Sequence, residues 1–251
     1  MNQLILGDCL EKMKDIPDNS IDMILADLPY NITQNRWDIE LDLPNMWYLF
    51  HHVIKDNGVI CLTASQPFTS KLVISNINEF KYDWVWNKKK ISGFLNAKKQ
   101  PLRNHESILI FYKKQPIYNP QPTLKTTIGV ISDKTNKKPT YNYGKFDRTK
   151  SNNENKYGLP KTIIDNIPVM NNLTGESGLH PTQKPVKLFE YLIKTYTNES
   201  DTVLDCCAGS GTTAIACYNT NRNYICIEKE PEYFNLMQSR VREHQKQELL
   251  I

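Results

Sequence analysis

Thr202-Val203-Leu204-Asp205-Cys206-Cys207-Ala208-Gly209-Ser210-Gly211-Thr212-Thr213 passes from a short apolar strand signal through a Gly-rich turn into a helical pattern. With Ala214 it satisfies G-x-G-x-x-A, in which the glycines let the backbone approach a ligand and the helix pack close to its strand. Asp205 ends the strand, where an acid can hold a cationic or hydroxylated group. Glu228 ends the next apolar run, nineteen residues after Gly209, where an acid can take ribose hydroxyls. The stretch therefore reads as a cradle for a nucleoside-bearing cofactor. NAD competes for it, since a dinucleotide site shows the second acid too. However, a dinucleotide fingerprint does not demand Asp205, and nothing obvious in the chain supplies hydride chemistry.

Outward from this turn, strand and helix signals alternate. Residues 4–6, 21–26, 59–63, 202–205 and 224–228 read as buried strands, with an amphipathic stretch at 10–16. Residues 44–55 predict a helix with Pro44 in its first turn, ended by Asp56-Asn57-Gly58, and 67–76 predict another. Residues 83–86 and 107–112 are aromatic and β-branched, and predict two strands that pair. The helix predicted at 186–196 carries Leu188, Leu192 and Tyr196 on one stripe with Tyr191 beside it, a pattern that reads as core. Helices at 212–218 and 231–246 complete the series. The alternation predicts an α/β fold with an open, mainly parallel sheet. Between residues 113 and 178 the periodicity fades into Lys, Asn, Thr, Tyr and Pro.

The 251 residues, 39% hydrophobic and 23% charged, suit one domain spanning 1–251 with an inserted region at about 112–178. No run approaches the roughly 20 apolar residues of a membrane span, and the N-terminal residues lack signal-peptide character, so a cytoplasmic protein is expected. Six cysteines without a C-x-x-C pair read as reduced thiols, and the five histidines form no recognisable ligand set, so no metal is expected. Charge is unevenly placed: residues 1–80 carry 5 Lys/Arg against 11 Asp/Glu, residues 81–161 carry 18 against 5, and residues 162–251 carry 8 against 11. The middle third, with Lys88, Lys89, Lys90, Arg103, Lys137 and Lys138 among interleaved aromatics, is a surface for a polyanion.

A second block, Asp27-Leu28-Pro29-Tyr30, follows the apolar run 21–26. An aromatic amine is a poor nucleophile because its lone pair is delocalised into the ring. A carboxylate accepting one amine hydrogen and a main-chain carbonyl accepting the other would draw the nitrogen toward tetrahedral geometry. Asp27 supplies the first acceptor and the Leu28 carbonyl can supply the second. Pro29 stiffens the loop, and Tyr30 can stack on a base, worth roughly 1–3 kcal/mol.

Asp27 to Tyr30, Trp37-Asp38, Asn104-His105-Glu106, His180-Pro181-Thr182-Gln183-Lys184-Pro185, the Asp205 to Thr213 turn, and Ile227-Glu228 with Pro231-Glu232-Tyr233 together resemble the amino-methylating DNA methyltransferases that use S-adenosylmethionine. Their order, catalytic loop first and cofactor turn last, is that of the β group. The resemblance implies a Rossmann-like methyltransferase sheet in circularly permuted order, with an inserted target-recognition region. It implies that Asp27, Leu28, Pro29 and Tyr30 surround a flipped base. Asp205, Gly209 and Gly211 would line the methionine part of the cofactor, Glu228 its ribose, Asp8 its adenine, and Thr182 and Lys184 its carboxylate. Double-stranded DNA is the implied partner, with a cognate restriction endonuclease and either a monomeric or a homodimeric state.

Two positions depart from the family pattern: Leu28 stands where a first proline is usual, and Cys207 where an aromatic is usual. No Pro-Cys dipeptide occurs, which argues against a cytosine carbon-5 mechanism. Within the family, Asp at the first loop position goes more often with adenine N6 and Ser with cytosine N4. Adenine is thus the expected base and cytosine N4 the alternative. A catalytically silent DNA-binding module is a further alternative, against which the intact Asp27 and Glu228 speak.

Overall fold

A computed structural model describes residues 2–30, 41–124, 157–167 and 183–248. The order is β1 (Gln3–Leu6), α1 (Cys9–Lys12) with a 3-10 turn, β2 (Ile21–Ala26), α2 (Leu43–Val53), β3 (Ile54–Ala64), α3 (Phe68–Ser75), β4 (Phe80–Ser92), a 3-10 turn (Phe94–Asn96) and β5 (Arg103–Phe111). There follow β6 (Thr123–Leu124), β7 (Tyr157–Gly158), β8 (Ile163–Ile164), α4 (Val186–Tyr196), β9 (Thr202–Asp205), α5 (Thr212–Asn219), β10 (Asn223–Glu228) and α6 (Pro231–Glu248).

Eight strands form one sheet in the order β1-β10-β9-β2-β3-β5-β4-β8. The first five are mutually parallel, as expected; β5 is antiparallel to both β3 and β4. The late strands β9 and β10 lie between β1 and β2, so that half of the sheet comes mostly from the C-terminal part of the chain. Along β2, Met23 and Leu25 enter one core and Ile24 and Ala26 the other, the alternation of a strand covered on both faces. The α4 stripe is core: Leu188, Leu192 and Tyr196 are buried. The Tyr196 hydroxyl meets the Trp84 indole N–H at 2.7 Å and the Tyr82 hydroxyl at 2.8 Å, so this buried polar group is satisfied.

Asp56-Asn57-Gly58, expected to end a helix, lies instead inside β3. Helix α2 stops at Val53, and the pairing jumps from Ile21↔Ile54 to Met23↔Val59, a bulge that absorbs the turn-like residues. Gly58 is needed there because a Cβ would lie 2.5 Å from Ile54 Cγ1 and 3.0 Å from two carbonyl oxygens. Strands β4 and β5 pair as expected but are longer than the expected 83–86 and 107–112.

The chain divides into two compact units, Met1–Asn119 with Thr162–Ile251, and Pro120–Lys161. In the second, β6 and β7 pair antiparallel, and the Thr123 hydroxyl donates to the Leu159 carbonyl at 3.4 Å. The flanks of the expected insert belong to the first unit: β8 extends the main sheet beside β4, and Asn119 donates to carbonyls near the end of α4.

Candidate active site

The parallel strands of one sheet all point their carboxyl ends toward the same edge, and this gathers residues remote in sequence. Met23 and Ile24 pair with Val203 and Leu204, so Asp27, which follows β2, emerges beside the Asp205 turn, which follows β9. The pairing of Ala26 with Leu62 brings Thr63 to Asp27, and that of Cys226 with Asp205 brings Glu228 near the Gly-rich turn. This is the strand-end crevice where open α/β sheets bind ligands.

Asp27 is held from three sides. Its Oδ1 accepts from the Tyr30 hydroxyl at 2.7 Å and from the Thr63 hydroxyl. Its Oδ2 accepts from Lys184 Nζ at 2.5 Å. Lys184 also lies 3.3 Å from Glu106 Oε2, and Lys88 Nζ donates to Glu106 Oε1 at 2.9 Å. Two carboxylates and two ammonium groups therefore alternate in a chain that runs from β2 to the β4–β5 pair. Lys184 is 6% exposed; burial acts to lower its pKa, but Asp27 and Glu106 more than offset this and hold it above the ordinary lysine value. Burial likewise acts to raise Glu106, yet Lys184 and Lys88 hold it below the ordinary carboxylate value. The Tyr30 ring stacks on Phe68 at 5.3 Å, and burial raises its hydroxyl pKa well above the ordinary tyrosine value, so the phenol stays a donor to Asp27. Leu28 is buried in the core on the α2 face, which gives this departure from the two-proline loop a packing role.

The second cluster surrounds the Gly-rich turn. Asp205 is buried and accepts from the Thr213 hydroxyl and from the Cys207 N–H at 3.0 Å; burial pushes its pKa up to about 7. Glu228 accepts from the Gly209 N–H at 2.7 Å and the Glu230 N–H at 2.8 Å. Gly211 caps α5 at φ +81°, and a Cβ there would lie 2.7 Å from Met237, so the turn is cut to fit α6. Arg240, buried on α6, donates to the Ser210 carbonyl at 3.1 Å and clamps the turn from behind. Asp8 caps α1 by accepting from the Leu10 N–H at 2.9 Å and pairs with Lys229 at 3.1 Å. Cys206 is buried in the core on the α2 face, against which Cys9 and Cys207 pack, and Cys206 and then Cys207 lower the Cys9 thiol pKa. All six cysteines are free, and no metal-ligating group of three or more occurs among the described residues.

Of the expected site residues, Asp27, Leu28, Pro29, Tyr30, Asp8, Lys184, Asp205, Gly209, Gly211 and Glu228 lie on or beside this edge. Lys184, expected at a cofactor carboxylate, is bonded to Asp27. Lys88, expected to face DNA, is paired with Glu106, whereas Lys89 and Lys90 are exposed and Arg103 reaches the Ser65 hydroxyl at 3.3 Å. Thr182, Lys137, Lys138, Trp37 and Asp38 lie outside the described residues. Thr63 and Arg240 were not foreseen, and Glu106 had no assigned role. The i, i+3 spacing of Arg240 from buried Met237, on the inner face of α6, is the signal that could have marked it.

Residues 21–239 match the model of the DNA methylase family N6_N4_Mtase. The type II methyltransferase M2.MboI of Moraxella bovis is 29% identical over 262 residues, covering 94% of this chain and 86% of that protein. The DNA adenine methyltransferase YhdJ of Escherichia coli K12 is 30% identical over 246 residues, covering 93% and 80%. The M1.HpyAVI–SAM complex superposes with a TM-score of 0.64 at 25% identity, covering 96% of this chain and all of the other. A family match across most of the strand-end crevice, and relatives spanning nearly the whole chain, place this protein in the N6/N4 DNA methylase family.

Proposed function

We propose that the chain transfers a methyl group from S-adenosylmethionine to the exocyclic N6 of adenine in double-stranded DNA, with the base turned out of the helix into the Asp27 loop. The observation that carries this reading is the adjacency of Asp27 and the Asp205 turn on neighbouring parallel strands, which sets an amine acceptor beside a cofactor cradle. Relatives named as type II and adenine methyltransferases support it. The carboxylate at position 27, where the cytosine enzymes more often have Ser, favours adenine.

The cradle fits the cofactor chemically. Asp205 and Glu228 offer acceptors to an ammonium and to ribose hydroxyls, and the glycine turn admits a close approach. The cofactor supplies an electrophilic methyl on a sulfonium. Asp27 and the Leu28 carbonyl accept the amine hydrogens, Tyr30 and Thr63 fix the carboxylate rotamer, and Lys184 pairs with its second oxygen. Positioning of this kind is worth several kcal/mol of barrier. The basic region within 112–178 is the target-recognition element, where Lys137 and Lys138 neutralise phosphates. The biological setting is restriction-modification in the cytoplasm with a cognate endonuclease, and the protein acts as a monomer or homodimer.

The test is to incubate the purified protein with S-adenosylmethionine and unmethylated plasmid and identify the modified nucleoside by mass spectrometry. N6-methyladenine supports the reading. N4-methylcytosine keeps the mechanism and changes the base, and no modified nucleoside sinks both.

Cofactor affinity is expected to depend on pH through Asp205. Burial favours its protonated form, with Asp27 and Glu228 adding to the effect against the Thr213 and Cys207 hydrogen bonds. Its contribution to stability is thus present below the ordinary 3.8 and is lost as pH rises toward about 7. A ligand ammonium prefers the ionised carboxylate, so the Kd for S-adenosylmethionine should fall as pH rises from about 5.5 to 7.5. Calorimetry should show this trend in the wild type and its absence in Asp205→Asn.

A further inference from the structure

The β4–β5 hairpin leaves the body of the protein beyond Asn87 and His105, and residues 89–101 are all exposed. Its inner half is core, with Trp84, Trp86, Ile108 and Ile110 buried. At its tip, however, Phe94 is 63% and Leu95 101% exposed, with Ile91 at 45%. Leu95 is as bare as in an extended peptide, so it contributes nothing to the fold. Around these side chains stand Lys89, Lys90, Lys98, Lys99 and Arg103, and no acidic residue occurs from Trp84 to His105. An apolar tip with a purely cationic rim fits a surface whose periphery is anionic and whose interior is apolar. A nucleic acid duplex has that arrangement: phosphates outside, stacked bases within. The hairpin also connects directly to the acceptor site. Strand β5 runs from the tip to Glu106, which pairs with Lys184 on Asp27, and Arg103 is bonded to Ser65, next after β3.

We propose that Phe94 and Leu95 form a wedge that enters the base stack of the DNA duplex beside the target and occupies space opened when the base leaves it, while the surrounding lysines grip the phosphates. Apolar wedges between base steps are a known means of holding unstacked DNA. Extrusion of a paired base is the costly step for an enzyme that works on its amine. The proposal rests on the reading of the chain as a base-flipping DNA methyltransferase. It separates two roles within one hairpin: the rim sets affinity and salt dependence, and the tip sets the ease of flipping.

The test compares the wild type with Phe94→Ala/Leu95→Ala on two duplexes, one intact and one with an abasic site opposite the target base, where pairing is already lost. The variant is expected to lose at least about tenfold in kcat/KM on the intact duplex and to come within about twofold of the wild type on the abasic one. With 2-aminopurine at the target position, the emission increase on binding should be seen with the wild type and be much reduced with the variant. Lys98→Glu/Lys99→Glu should weaken binding of both duplexes equally. Equal rates of Phe94→Ala/Leu95→Ala and wild type on the intact duplex, or an equal deficit on both duplexes, would overturn the wedge. So would a wild-type dimer that this variant converts to monomer, since the tip would then cover a second copy of the chain. A wild type that binds duplex but transfers no methyl counts against the catalytic reading, and the 2-aminopurine emission still decides the wedge.

Discussion

Asp27→Ala is expected to abolish methyl transfer while leaving cofactor binding close to that of the wild type. The carboxylate follows β2 at the strand-end edge, and Tyr30, Thr63 and Lys184 all orient it. Without it, nothing draws the amine hydrogens out of the ring plane, and the lone pair remains delocalised. Loss of a preorganised polar partner of this kind costs about 10²–10³ in kcat, and loss of positioning adds to that. The proposed cofactor cradle is built from β9, β10 and the first turn of α5, and among the described residues the hydrogen bonds at Asp205 and Glu228 do not involve Asp27. Cofactor titration should therefore give a Kd within about threefold of the wild type, a difference under about 1 kcal/mol. Near-wild-type turnover in Asp27→Ala would show that another group accepts the amine.

The two halves of this site differ in how plainly the sequence shows them. The Gly-rich turn and Asp205 are local signals: a strand, two glycines and a helix follow one another without a break, and both strand and helix lie where the pattern puts them. Helix α4 is equally legible, since its apolar stripe has helical period and a proline marks its start. Thr63 and Glu106 are different. Thr63 is a lone polar residue at the end of an apolar run and Glu106 one of several polar residues at the start of β5, and the meaning of each depends on the order β2-β3-β5, which arises from pairings across the sheet. The bulge in β3 was hidden for a related reason. Asp56-Asn57-Gly58 has the composition of a turn, and only the partner strand keeps it in the sheet. There Asp22 of β2 pairs with Lys55 at 2.6 Å and accepts from the Thr202 N–H at 2.9 Å.

Lys184 is where local and non-local readings meet, and Lys184→Met should produce the largest loss of stability. The substitution preserves most of the side-chain volume and removes the cation between two carboxylates. Asp27 and Glu106 are then left 21% and 14% exposed with no charge between them. Breaking a buried ion pair from one side costs about 3–5 kcal/mol, which for a chain of this size corresponds to roughly 10 °C in Tm. The pH dependence identifies the cause. Glu106 has a lowered pKa, so its contribution is present above the ordinary 4.5 and is lost as pH falls through its folded value. Lys184 has a raised pKa, so its contribution persists until pH rises past the ordinary 10.5. The Tm difference between wild type and variant should therefore be largest near neutrality and shrink in acid, where protonated carboxyls no longer repel. Adding Glu106→Gln to Lys184→Met removes the carboxylate that repels Asp27, although it also gives up the Lys88 pair with Glu106. The double variant should be more stable than the sum of the single effects predicts. A Tm deficit that stays constant from pH 4 to pH 7 (ordinary carboxylate range to neutrality) would assign Lys184 a packing role and leave the orientation of Asp27 to Tyr30 and Thr63.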